Sequence, residues 1–253
     1  MSESPSLTEH ELIARYFAPI AGPGAFAMTD DAAFLSPREG FDIVLTVDAL
    51  VAGVHFFPED PPGAIARKAI GVNKTELAAK GAAPVGMLLT LALNTEWTPR
   101  WLSGFADGLG DAARSFHCPL LGGDTVRTSG PLTISITALG EVPKGEMVLR
   151  RGARSGDRIC VTGTIGDAAL GLLVRQAPGA AWAAGLSLDK RVHIIDRYLH
   201  PQPRLAAAAA LRRHAAVQVS VTEIGHITAG SGPPLFRNGG WSRTYEKGSF
   251  SHF

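Results

Sequence analysis

Two apolar runs in this chain each deliver a lone acid: FDIVLTV leads into Asp48, within VDALVAGVHF, and HCPLLGG leads into Asp124, within GGDTVR. Short runs so rich in Val, Ile and Leu are expected as buried strands, so each carboxylate is carried to a strand end. Two further runs, GMLLTLALN and LTISITALGE, have the same character. In the second, Leu132, Ile134, Ile136 and Ala138 share one face and Thr133, Ser135 and Thr137 the other, so one face packs on a core while the other can meet water or a partner.

Helical signals fall between and before these strands. Thr8 and Glu11 form a capping box ahead of Leu12, Ile13, Tyr16 and Phe17, which recur at helical spacing. Asp60 with Pro61 and Pro62 reads as the start of a helix running towards Lys80. Thr98 with Pro99 opens another, in which Trp101, Phe105 and Leu109 make a core stripe. Strands alternating with helices predict an α/β to α+β fold, with a mixed-sheet domain over 1–142. The polar segment VPKGEMVLRRGARSGD predicts a crossing into a second, reduced α+β domain over 150–253. There RICVTG is a strand, and the glycines at 163 and 166 open the helix DAALGLLVRQ. Helices are expected over 188–199 and 203–214, and NGG at Asn238 predicts a hairpin between LFR and WSRTY.

Composition narrows the chemistry. The 253 residues are 45% hydrophobic, enough for one large or two modest domains. A formal net charge of +1 provides no basic field for nucleic acid or anionic membrane. The N-terminal residues lack a signal-peptide pattern, and the longest apolar stretch, PVGMLLTLAL, is too short to cross a bilayer; a cytoplasmic protein is expected. Cys118 and Cys160 have no metal-ligand spacing and are expected as buried free thiols. The Gly163 to Gly166 turn opens a helix, where free N–H groups can bind phosphate. Neither GxGxxG nor GxxxxGK[ST] occurs, which excludes the Rossmann and P-loop motifs. Scattered carboxylates at strand ends, Asp30 and Asp31 in DDAAFL and Glu76 in VNKTELAAKGAAP among them, suit Mg²⁺ held jointly with phosphates. For any one acid alone, a turn or cap role is the commoner explanation.

Taken in order, DDAAFL, VDALVAGVHF, VN with LAA and GAAP, GGDTVR, LRRGARSGDRICVTGTIGDAALGL and HPQPRL resemble the thiamine-monophosphate kinases. That family belongs with aminoimidazole ribonucleotide synthetase, selenophosphate synthetase and a hydrogenase-maturation dehydratase. The resemblance implies a mixed-sheet N-terminal domain of the aminoimidazole ribonucleotide synthetase type and a homodimer in which sheets face each other. It implies ATP-dependent phosphorylation of thiamine monophosphate by direct in-line transfer, with Mg²⁺ and with no nucleophilic side chain. It assigns Asp31, Asp48, Glu76 and Asp124 to metal, Gly123, Asp124, Arg151 and Ser220 to ATP, and His55 to substrate.

Departures from the family pattern are as informative. Thr75 and Glu76 stand where a Ser-Asp pair is usual, Lys74 replaces an apolar residue, and Val47 replaces a hydroxyl residue. Glu76 also has a helical partner at i,i+4 in Lys80. AAVQVS resembles the start of a family motif, but Gln218 occupies the position of its metal-binding aspartate. After Ser220 the chain passes directly to VTEIGHITAG, so an acidic substrate-binding segment is missing, as if by internal deletion. Two alternatives to a working kinase follow: a nucleotide-binding member that has lost turnover, and another ATP-using enzyme of the superfamily.

Overall fold

The computed structural model describes residues 7–213, 221–227, 235–238 and 240–244. The capping box forms as expected: the Thr8 N–H donates to the Glu11 carboxylate at 2.8 Å, and the Glu11 N–H donates to the Thr8 hydroxyl at 3.3 Å. It starts α1 (Glu9–Leu12), which widens into a π-turn over Ile13–Phe17. Leu12, Tyr16 and Phe17 are thereby buried in the main core.

That core backs a four-stranded mixed sheet in the order β1-β4-β2-β3. The strands are β1 (Phe41–Val51), β2 (Ala83–Leu93), β3 (Leu120–Arg127) and β4 (Thr133–Pro143). β4 is central and antiparallel to both β1 and β2, whereas β2 and β3 are parallel because a helix, α3 (Pro99–Ser115), carries the chain back between them. Ile134, Ile136 and Ala138 of β4 are buried on the helix side, and Thr133, Ser135 and Thr137 alternate with them, as the pattern predicts.

α2 (Pro62–Ala79) and α3 (Pro99–Ser115) cover that side. The Thr98 hydroxyl accepts from the Trp101 N–H at 3.1 Å and caps α3, while Trp101 stacks on Phe105 at 5.2 Å. The two helices approach through glycine: a Cβ on Gly108 would lie 2.3 Å from the Gly63 Cα, so any side chain there would force the pair apart. Asp60 does not cap α2, whose N-cap is Pro61. Its carboxylate accepts instead from the Phe57 N–H at 3.1 Å and pairs with Arg175.

Among the described residues no helix covers the other face of the sheet. By register Leu45, Val47 and Leu88 belong to it, with Val126 on β3, and they are 64, 61, 40 and 42% exposed.

Beyond β4, residues 144–157 form the connecting segment with no helix or strand. β5 (Arg158–Thr162) pairs antiparallel with β6 (Val221–His226), and β7 (Leu235–Asn238) forms the expected hairpin with β8 (Trp241–Thr244). The helices are α4 (Asp167–Gln176), α5 (Ala181–Ala184), α6 (Leu188–Leu199) and α7 (Leu205–Arg213). α4 and α6 share a small cluster of Val174, Ala183 and Ile194, and α7 leans on α2. α7 starts two residues later than the sequence pattern suggests, and His214 lies outside the described residues. Cys118 is buried, but Cys160 is exposed, contrary to expectation. Among the described residues its strand belongs to a two-stranded sheet, too small to enclose a side chain on both faces. Ile165 and Leu188, 74 and 75% exposed, likewise find no cover among the described residues.

Candidate active site

A cavity of about 550 Å³ opens where β2 and β3 meet the N-terminal segment, and Asp31, Gly123, Asp124, Thr90 and Thr137 line it. Two features of the backbone shape it. Gly123 has φ 156°, and a Cβ there would sit 1.7 Å from the Leu89 carbonyl oxygen, so only glycine permits β3 to lie this close to β2. On the other wall, Phe26, Ala27 and Met28 are all left-handed, with φ of 48, 52 and 58°. Such conformations are costly for residues with side chains and persist only where the surroundings fix them. Here the Phe34 N–H donates to the Gly24 carbonyl at 3.1 Å and the Phe26 and Phe34 rings meet at 5.5 Å. The turn they close brings Asp30 and Asp31 to the cavity.

Asp48 lies apart from these residues. Its register partner is Ile136, which places it on the helix side of the sheet, whereas Thr90, the partner of Asp124, pairs with Ser135 of the opposite face. Burial is the first cause that pushes the Asp48 carboxyl above the usual carboxylate range. The charge of Glu76 adds to the rise and His55 opposes it. Glu76 is not ion-paired with Lys80 among the described residues, and its charge acts on Asp48 instead. The Val51 N–H donates to Nδ1 of His55 at 3.0 Å.

The residues singled out in the sequence therefore fall into two groups, Asp31 with Gly123 and Asp124, and Asp48 with Glu76 and His55. Among the described residues no three acids, histidines or cysteines form a single metal-holding group. Arg151 is exposed on the connecting segment and does not line the cavity. Ser220 and Gln218 lie outside the described residues. Thr90 was not anticipated as a lining residue. The Thr/Ser alternation of β4 did mark the face that carries Thr137.

A mixed sheet backed by two helices, with a glycine-pinched strand bordering an acidic cavity, defines a class. Residues 29–142 match the family model described as AIR synthase related protein, N-terminal domain. The chain is 43% identical to the thiamine-monophosphate kinase of Caulobacter vibrioides, over 89% of this chain and 64% of that protein. It is 39% identical to that of Salmonella typhimurium, over 88% of this chain and 69% of the relative. A crystal structure of thiamine-monophosphate kinase from Stenotrophomonas maltophilia superposes with a TM-score of 0.66 at 39% identity, covering 74% of this chain and 58% of that one. A structure described as AaThiL complexed with AMPPCP and TMP gives 0.63 at 29% identity, over 73% of this chain and 57% of that one. The chain belongs to the thiamine-monophosphate kinase family. It spans less than two thirds of the length of the Caulobacter relative.

Proposed function

We propose that this chain binds ATP with Mg²⁺ and phosphorylates thiamine monophosphate to thiamine diphosphate. The observation that carries the reading is the cavity itself, which sets Asp31 and Asp124 beside the pinched backbone at Gly123. The neighbouring structure whose description names AMPPCP and TMP supports the choice of substrates. A phosphate oxygen of thiamine monophosphate would attack the γ-phosphorus in line, forming one P–O bond while the bond to the β-phosphate oxygen breaks and ADP leaves. Such a transfer needs positioning and charge neutralisation more than it needs a nucleophilic residue.

The donor set fits Mg²⁺. All the candidate ligands are hard carboxylate oxygens, and the mutual repulsion of Asp48 and Glu76 is what a cation would relieve. Mg²⁺ is commonly held by one or two carboxylates plus substrate phosphates, so two separate pairs suit it better than a closed protein cage. Asp31 and Asp124 would hold metal in the cavity, and Asp48 with Glu76 behind the sheet. When bound, the metal supplies charge neutralisation across the phosphate oxygens. His55 serves as the substrate contact, and Gly123, Arg151 and Ser220 as ATP contacts.

Chromatography of a mixture of the protein, ATP, Mg²⁺ and thiamine monophosphate tests the reaction directly; thiamine diphosphate is the expected product. Calorimetry is expected to show ATP binding that requires Mg²⁺ and weakens at least tenfold, ~1.4 kcal/mol, in Asp124→Ala or Asp31→Ala. Mg²⁺-independent ATP binding would remove the metal assignment. A second reading, a nucleotide-binding member without turnover, is favoured by the exposed Ile165 and Leu188. Metal-dependent ATP binding with no product would establish it.

In this reading residues 1–142 form the ATP-binding and dimerisation domain and 150–253 a shortened second domain. No helix among the described residues is long and apolar enough to cross a membrane, and we place the protein in the cytoplasm without a nucleic-acid partner. The uncovered face bearing Leu45, Val47, Leu88 and Val126 supports a homodimer formed sheet to sheet. Light scattering is expected to give a dimer for the native chain and a monomer for the double variant Leu45→Glu, Val47→Glu. A native monomer at micromolar concentration would overturn the dimer.

A further inference from the structure

The loop 55–60 joins β1 to α2, and residues from α4 and α6 close over it. The His55 carbonyl accepts from the Lys68 ammonium at 2.8 Å and from the Tyr198 hydroxyl at 3.5 Å. The Lys68 nitrogen also sits 3.5 Å from the centroid of the Tyr198 ring, a cation–π contact that holds α6 to α2. The Arg175 guanidinium of α4 lies 4.3 Å from the Phe57 ring centroid and 5.5 Å from that of Tyr198. It pairs with the Asp60 carboxylate, whose side chain is 1% exposed, and reaches Glu59 at 3.6 Å. Asp60 in turn accepts from the Phe57 N–H, and the Phe57 and Tyr198 rings stand 5.9 Å apart. His55 is thus anchored by its main chain to Lys68, Tyr198 and the Val51 carbonyl, and by its ring to the Val51 N–H.

We propose that Arg175 and Tyr198 are positioning residues: from α4 and α6 they lock the 55–60 loop, and so fix the orientation in which His55 meets thiamine monophosphate. The proposal rests on the reading of His55 as the substrate contact. Neither residue touches the cavity lined by Asp31 and Asp124. Loss of the lock therefore acts on the seat of the acceptor and leaves the seat of ATP unchanged. Misplacement by a fraction of an ångström is enough to weaken a positioned contact.

Two readouts on the full chain test this. In Arg175→Met, amide exchange at Val51 is expected to quicken about tenfold, because the His55 ring that accepts from it is no longer held. Tyr198→Phe, which removes only the hydroxyl, should quicken it less. By calorimetry, the affinity of Arg175→Met for thiamine monophosphate should fall about tenfold while that for ATP is unchanged, and Arg175→Lys should recover most of the loss. If Arg175→Met fails to fold because Asp60 is left buried without its ion pair, the double variant Asp60→Asn, Arg175→Met keeps the same readouts without the stranded charge. Unchanged Val51 exchange overturns the lock. Faster exchange with unchanged thiamine monophosphate affinity overturns its positioning role. His55→Ala tests the underlying reading separately: if it binds thiamine monophosphate as the native chain does, the substrate assignment fails, and Val51 exchange alone still decides whether the lock exists.

Discussion

Replacing Lys74 by leucine is expected to raise the melting temperature, although it deletes a hydrogen bond. Lys74 lies on the inner side of α2 with none of its surface exposed. Its ammonium donates to the Phe116 carbonyl at 2.6 Å, and no carboxylate is paired with it among the described residues. Burial is the main reason its pKa falls from 10.5 to about 8, with Cys118 opposing the change. Below pH 8 the lysine is charged in both folded and unfolded chains, and the fold bears the whole cost of burying that charge. Between pH 8 and 10.5 the folded chain releases the proton first, so stability rises with pH and the cost disappears. A shift of this size corresponds to about 3 kcal/mol at neutral pH. Leaving the Phe116 carbonyl unpaired returns about 1 kcal/mol, for a net gain near ~2 kcal/mol and roughly 4–8 °C in Tm. Thermal melts of the native and Lys74→Leu chains should differ most at pH 7 and converge towards pH 10.5. A variant less stable than the native chain at pH 7 would show that the ammonium is better compensated than its one short bond implies.

Gly123→Ala is expected to do the opposite, and more severely. The added methyl would meet the Leu89 carbonyl oxygen at 1.7 Å, and that atom belongs to the backbone of β2 and cannot swing away. The residue must also keep φ near 156°, which side-chain-bearing residues avoid. β3 must then separate from β2 or shift its register, at about 3–5 kcal/mol. Because the same strand carries Asp124 to the cavity, ATP binding should disappear along with the stability. Melting and calorimetry on one sample decide it: native Tm with native ATP affinity would mean that β2 and β3 do not approach as described.

The strands and helices were legible because their signals are local. The alternation in LTISITALGE separated the two faces of β4, and Thr98 with Pro99 opened α3 where expected. What escaped depended on distant parts of the chain. Asp60 reads as a helix-start residue until Arg175, far along the sequence, is found beside it. The left-handed run at Phe26, Ala27 and Met28 contains no Gly or Asn to announce it, since only the packing around it enforces that conformation. That Asp48 and Asp124 lie on strands was readable from the apolar runs before them, although β1 runs on to Val51 and β3 to Arg127, so neither stands at the strand end expected for it. Their division between the two sides of the sheet was not, because a face is assigned only once pairing partners are known. Cys160 was misjudged for a related reason: an apolar run signals burial only if enough sheet exists to cover it.

The lock between Asp60 and Arg175 also imposes an order of events on a nascent chain emerging from a ribosome. The four-stranded sheet can close once Pro143 is available, since β4 supplies its central strand. At synthesis rates of ~5–20 residues per second, Arg175 follows only ~2–6 s later. During that interval Asp60 stands open to water, because the residues that close over it from α4 and α6 are still unmade and only Lys68 of α2 offsets its charge. The early sheet is therefore a resting point with an open loop beside it, and the arrival of α4 is what closes that loop.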